Sequence, residues 1–313
     1  MADLQKMVVV PLDGSENSMK SLDYLHVIYG GDHNIEVILK HVLPSLPPVF
    51  LQDGVVPKQA ALKLKALKNK SIRLAERLLA EGKDFLVSKG FPEDQVKTVY
   101  REKEAGIARD ISAWAESKRA DAVLISTRGR SRLETFFTGE VAGKVLDYCR
   151  LCPIWIVDGT VASNKVLLTV DSSEYSLRAV DHAGFMLSGT NCQVTLFHSI
   201  RNLRGFIPQE VLEEAPELEE LWQSKIGQEI APYMKEAVAK LLEAGLLESQ
   251  ITTRVINGSR NVANDILKEA RSGGYGTIVM GRRGLTGVRE LFMGSVSRKV
   301  LQDCRGMAVW VVP

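Results

Sequence analysis

Residues 277–300 read TIVMGRRGLTGVRELFMGSVSRKV. A short apolar run ends at Met280, Gly281 and Gly284 follow, and Gly294 stands directly before Ser295. Such a run suits a strand buried on both faces. Gly294 and Ser295 then suit the opening of a helix, SVSRKVLQDC. An earlier stretch from Ser126, STRGRSRLETFFTGEVAGKV, aligns with Gly281–Val300 without a gap. A strand, a glycine-rich loop and a helix are thus written twice, and the reading of that unit decides the fold.

The repetition extends along the chain, in the same order in both halves. MVVVPLDGSENSMKSLDYL near the start matches KVLLTVDSSEYSLRAVDHA from Lys165, and VILKHVLP (37–44) matches VTLFHSI (194–200). YCRLCPIWIV (148–157) matches DCRGMAVWVV (303–312). The halves meet at DGTVASN (158–164), a small, polar linker, which gives expected domains of 1–158 and 159–313. Within each half, five strand-like runs alternate with helical patterns. That alternation predicts α/β architecture: two tandem doubly wound, Rossmann-like domains, each with a five-stranded parallel sheet and helices on both faces. Ligands of such sheets bind beyond the carboxyl ends of the strands, where strand order reverses. After the second strand of each half comes a long, dissimilar, proline-bearing segment, which reads as a surface excursion or as an arm over the site.

Bulk properties narrow the function. A chain of 313 residues, 45% hydrophobic and 25% charged, has room for two ordinary globular domains. A net charge of +2 gives no field that would favour nucleic acid or a membrane surface. The four cysteines, Cys149, Cys152, Cys192 and Cys304, form no disulfide framework, and the N-terminal segment has no signal-like core. The expected location is the cytoplasm.

The glycines admit two readings. A helix N-terminus offers unpaired N–H groups and a partial positive charge, which suit phosphate, and Arg282 and Arg283 lie in the intervening loop. Gly281 would let backbone approach a ligand closely. A glycine-rich loop with a capping serine and no ligand fits the same spacing. Other motifs fail on context. GEVAGK (139–144) has one residue too few between its glycines for a P-loop, and Val145 stands where Ser or Thr is needed. RSGGYG (271–276) precedes a strand and suits a helix end. The Cys149–Cys152 pair lies at a helix end, where packing explains it better than redox chemistry. His41 and His198 end equivalent strands and read as satisfied strand-end histidines. No catalytic nucleophile–base pair or metal cluster stands out.

Gly281, two residues, Gly284, nine residues, then Gly294–Ser295 resembles the ATP-binding signature of the universal stress protein family. TVDSSEYS, FHS and INGSRNVANDI fall in register with it, and the whole chain resembles a tandem pair of such domains, whose fold is that of the adenine-nucleotide α-hydrolases. The resemblance implies that Asp171, with Thr169 and Val170, meets the nucleoside, and that backbone at Ser199 meets adenine. It implies that Met280, Gly281, Arg283 and Gly284 frame the nucleotide, and that Gly294, Ser295, Val296 and Ser297 hold its phosphates. Asp171 also suits an N-cap. The implied ligand is ATP, or AMP or ADP, with Mg2+ accompanying it. Function then divides between a nucleotide-binding stress-response regulator, a slow ATPase and an adaptor whose nucleotide is structural. The resemblance further implies that the halves pair through their final strands, PIWIVDG and MAVWVVP, as a pseudo-dimer; a homodimer is open.

The first half departs from the signature. It keeps Asp13, Ser15, Val42, Gly129 and Gly139, but Ser126 replaces Gly281, Glu140 replaces Ser295, Ala142 replaces Ser297 and Lys103 replaces Gly258. A carboxylate at 140 would face phosphate. Two unit charges about 4 Å apart repel by about 1 kcal/mol in water and about 4 at an intermediate dielectric. The second half is therefore expected to hold the nucleotide and the first to bind it poorly.

Overall fold

A computed structural model describes residues 5–30, 34–51, 57–127, 141–203, 206–215, 217–284 and 293–313. Two compact units result: Met1–His26 with Gly30–Ile154, and Val27–Tyr29 with Trp155–Pro313. Strands and helices alternate through both. The first copy runs β1 (Lys6–Pro11), α1 (Glu16–Tyr29), β2 (Ile35–Leu43), α2 (Lys58–Ser88), β3 (Val96–Glu102), α3 (Ile107–Ser117), β4 (Ala122–Ser126), α4 (Val141–Tyr148) and β5 (Ile154–Val157). The second runs β6 (Lys165–Thr169), α5 (Glu174–Leu187), β7 (Gln193–Arg201), α6 (Gln209–Leu212), α7 (Glu217–Glu243), β8 (Ile251–Ser259), α8 (Val262–Ser272), β9 (Thr277–Gly281), α9 (Ser295–Asp303) and β10 (Ala308–Val312).

The first unit orders its strands β3-β2-β1-β4, all parallel. The second orders them β10-β9-β6-β7-β8, again all parallel. This is the doubly wound, Rossmann-like fold that the alternation predicts. The apolar runs are the central strands: Val8, Val9 and Val10 in one unit, and Val166, Leu167, Leu168, Ile278 and Val279 in the other, are fully buried. Helices cover both faces and leave no face for water, so continuous β-branched runs are tolerated.

Strand order reverses in the second unit at β6, which pairs with β7 on one side and β9 on the other. The chains leaving β6 and β9 therefore diverge to opposite faces and open a crevice at their carboxyl ends. The chain leaving β6 turns immediately into α5. Ser173 is its N-cap, accepting the Ser176 N–H on Oγ, and Asp171 Oδ1 accepts the N–H and hydroxyl of Ser173. The first unit builds the same turn from Asp13 and Ser15. The Asp-x-Ser pattern is thus a two-layer cap in which the serine caps the helix and the aspartate holds the serine.

All four cysteines are buried free thiols. Cys152 Sγ donates to the Ala120 carbonyl, and its hydrogen bond with Cys149 together with burial drives its thiol pKa upward. Packing accounts for this pair. In the second unit, Trp155 and Trp310 stack with centroids 3.8 Å apart, and the Trp155 indole N–H donates to His182 Nε2.

Candidate functional site

The crevice at the reversal point holds a cavity of about 360 Å3. Its wall contains Thr169, Val170 and Asp171 from the end of β6, Ser199 from β7, and Met280, Gly281, Arg283 and Gly284 from β9 and the turn after it. Gly294, Ser295, Val296 and Ser297 close it at the start of α9. All twelve residues singled out in the sequence surround one space. Residues 285–292 of the intervening loop lie outside the described residues.

The start of α9 has no side-chain cap, as at Pro57 before α2 and Gly106 before α3, but it alone of these three opens on this cavity. Ser15, Ser173 and Asn261 each cap their own helix through the side chain. Gly294 caps α9 with backbone only, at φ −60° and ψ 152°, and no side-chain cap bond is made. Serine fits such a backbone and would cap better than glycine. The N–H groups at the start of α9 are accordingly left to whatever occupies the cavity.

Each glycine of the motif has its own cause. A Cβ on Gly281 would lie 2.8 Å from the Tyr175 carbonyl oxygen and 2.9 Å from the Tyr175 Cβ. Gly281 is therefore required by the close approach of β9 to the first turn of α5, a reason internal to the protein, and it also lines the cavity. A Cβ on Gly284 would lie 2.7 Å from Asp171 Oδ2, so this glycine leaves room for that carboxylate. Gly294 has only ordinary contacts, the nearest at 3.6 Å. Neither space nor dihedral demands glycine there.

The hydroxyls also separate. Ser295 is exposed at the first turn of α9, whereas buried Ser297 donates to the Gly281 carbonyl at 2.9 Å and ties α9 to β9. Thr169 Oγ1 donates to the Val279 carbonyl, and Ser199 Oγ donates to Asp265 Oδ2 at 2.9 Å. Three of the hydroxyls thus shape the walls, and exposed Ser295 lines the cavity at the start of α9. Arg283 lies over the Tyr175 ring, 5.3 Å from its centroid, and donates to the Tyr175 hydroxyl. Arg282 is buried, lies outside the wall and donates its N–H to the Val312 carbonyl.

His198 donates Nδ1–H to the Val170 carbonyl at 2.7 Å, and His41 makes the same bond to Leu12. Each ties the end of one strand to the chain leaving its neighbour. Burial lowers the His198 pKa, against the opposing influence of the Val170 carbonyl and Asp171.

The wall also holds residues that sequence reading did not assign to it. Val262 and Ile266 come from α8, whose apolar spacing reads only as a core face. Phe206, Trp222 and Ile226 come from the long segment after β7 and line the same cavity. Ile200 and Arg201 complete the rim at the irregular end of β7.

The first unit has a smaller cavity, about 290 Å3, lined by Asp13, Ser15, His41, Val42 and Ser126 among others. Lys40, aligned with Phe197, joins its wall. Lys40 is 1% exposed, with Nζ 4.5 Å from the Trp114 ring centroid. Burial and the like charge of Arg101 lower its pKa to about 8, against Asp110 and Glu104. Val42 keeps the backbone position of Ser199 and carries no hydroxyl. Gly129, Gly139 and Glu140 lie outside the described residues.

Among the described residues no helix is long and apolar enough to cross a membrane, and no group of three His, Cys, Asp or Glu gathers to hold a metal. A family model described as the universal stress protein family matches residues 6–158 and again 163–313. Universal stress protein YxiE of Bacillus subtilis (strain 168) is 29% identical over 148 residues, covering 44% of this chain and 92% of its own. Universal stress protein MJ0531 of Methanocaldococcus jannaschii is 27% identical over 157 residues, covering 50% and 83%. A solved universal stress protein from Archaeoglobus fulgidus DSM 4304 covers 98% of this chain and 96% of its own, with TM-score 0.61 and 19% identity, a likeness of fold.

Proposed function

The chain belongs to the universal stress protein family, and from that membership we propose that it is a stress-response regulator whose second domain binds an adenine nucleotide, ATP or its products AMP and ADP. The observation that carries this reading is the start of α9: a helix N-terminus without a side-chain cap, opening on a cavity through Gly294 and Ser295. The residues present fit the ligand. The start of α9 offers N–H groups and a hydroxyl for phosphate. Asp171 keeps Oδ2 turned toward Gly284 while Oδ1 holds Ser173, so a ribose hydroxyl has an acceptor. Val262, Ile266 and Met280 supply apolar wall for a base. Bound ATP supplies negative charge at the α9 start, and Mg2+ would accompany its phosphates.

In this proposal the first domain binds nucleotide poorly. Lys40 in place of Phe197, with Glu140 in place of Ser295 and Ala142 in place of Ser297, supports that asymmetry. The nucleotide acts by differential affinity: it stabilises one arrangement of the chain and thereby changes the affinity for a partner. The four free thiols agree with a cytoplasmic location.

Mass spectrometry of the small molecules retained by protein purified from cells tests the reading. An adenine nucleotide is expected, and Ser295→Glu should lose it while keeping the fold. Purified protein that carries no nucleotide and takes up none on addition counts against the proposal.

A further inference from the structure

The arm after β7 carries two aromatic residues into the cavity wall that the family signature does not include. Phe206 is 61% exposed, and its ring lies 5.4 Å from that of Trp222 at 58°. Trp222 is held by its edge: the indole N–H donates to the Arg201 carbonyl at 2.8 Å. One helical turn earlier, Glu219 accepts the Leu203 N–H at 2.9 Å. Two bonds therefore fix the start of α7 to the chain leaving β7, and the ring plane of Trp222 is set before any ligand arrives. Val262 and Ile266 of α8 line the same cavity. Among the described residues, the first unit's cavity receives no residue from its corresponding arm.

Resting on the reading of this cavity as a nucleotide site, we infer that Phe206 and Trp222 form a stacking wall for the base of the bound nucleotide. The wall is specific to the second domain and makes recognition depend on a planar base as well as on phosphate. A pinned aromatic ring stacks with little loss of side-chain freedom, and every base has a π-face to offer. The wall selects for a base over bare polyphosphate without choosing among bases; polar groups deeper in the cavity must make that choice.

Calorimetry and tryptophan fluorescence on the full chain test this. Phe206→Ala changes an exposed ring, so the nucleotide-free melting temperature should hold while ATP affinity falls about ten-fold. ATP should quench the wild-type tryptophan emission. Trp222→Phe keeps a ring in the wall, so it should keep ATP binding within about three-fold yet abolish the quench. Wild-type ATP affinity in Phe206→Ala, together with ATP-insensitive emission in a wild-type protein that binds ATP, overturns the stacking wall and leaves the nucleotide site standing. Failure of the wild-type protein to bind ATP at all overturns the site reading, and the wall with it.

Discussion

Replacing Gly294 by serine should strengthen the fold and weaken the site. The backbone at 294 has φ −60° and ψ 152°, which serine adopts without strain. A Cβ there would have its nearest neighbours at 3.6 Å, ordinary contact. In α1 and α5 the capping serine accepts the N–H three residues on, at 3.2 Å in both cases. A serine hydroxyl at 294 would take the Ser297 N–H in the same way. Serine exceeds glycine at this position by a few tenths of a kcal/mol, so the nucleotide-free melting temperature should rise by about 1 °C. The cap would occupy an N–H offered to phosphate. A hydrogen bond to a charged group is worth about 1.5–3 kcal/mol, so ATP affinity should fall roughly ten- to hundred-fold. Differential scanning calorimetry of the nucleotide-free protein and isothermal titration with ATP read the two effects separately. Unchanged ATP affinity in a folded Gly294→Ser protein would refute the reasoning, because the N–H groups of α9 would then have no part in binding.

Other substitutions probe the supporting structure. Gly281→Ala forces β9 away from the Tyr175 backbone, with contacts of 2.8 and 2.9 Å to relieve; overpacking of this kind costs about 1–3 kcal/mol, and a wild-type melting temperature would show that the contact is not there. Lys40→Met should stabilise the protein at pH 7. Burial lowers the Lys40 pKa to about 8 from 10.5, so the folded state bears the cost of the charge below pH 8 and is relieved of it as pH rises to 10.5. The gain, on the order of 3 kcal/mol, should therefore fade through that window, and a gain independent of pH would assign it to packing. His182 is held neutral, its pKa lowered by burial from 6.5 to about 3. The unfolded chain takes up a proton between those values and the folded one does not, so stability should drop by about 2 kcal/mol by pH 5. His182→Gln keeps an acceptor for the Trp155 indole and should flatten that drop in urea titrations; an equal drop in the variant would place its cause elsewhere.

The fold was largely legible in the sequence because its signals are local. Val8–Val10 and Val166–Leu168 are continuous apolar runs, and only strands covered on both faces accept them. The paired Asp-x-Ser after each first strand caps a helix through bonds spanning two and three residues. The cavity's β-strand and α9 walls were legible through the spaced glycines and the resemblance they carry. The missing parts depend on distant contacts. Gly281 packs on Tyr175, more than a hundred positions earlier, so its spacing reads as ligand approach and does not show this contact. Val262 and Ile266 share one apolar stripe with the core residues of α8, and periodicity cannot tell which of them reach a cavity. Phe206 and Trp222 sit in a proline-bearing, dissimilar segment whose path is set by the Arg201 carbonyl and the Leu203 N–H, and backbone groups leave no mark in sequence. Lys40 is legible as the counterpart of Phe197, a further difference between the two halves.

Isothermal titration of nucleotide-free protein with ATP tests the account most directly. One site per chain is predicted, abolished by Ser295→Glu with the fold intact. Two equal sites per chain, or one site that Ser295→Glu leaves unchanged, would contradict it.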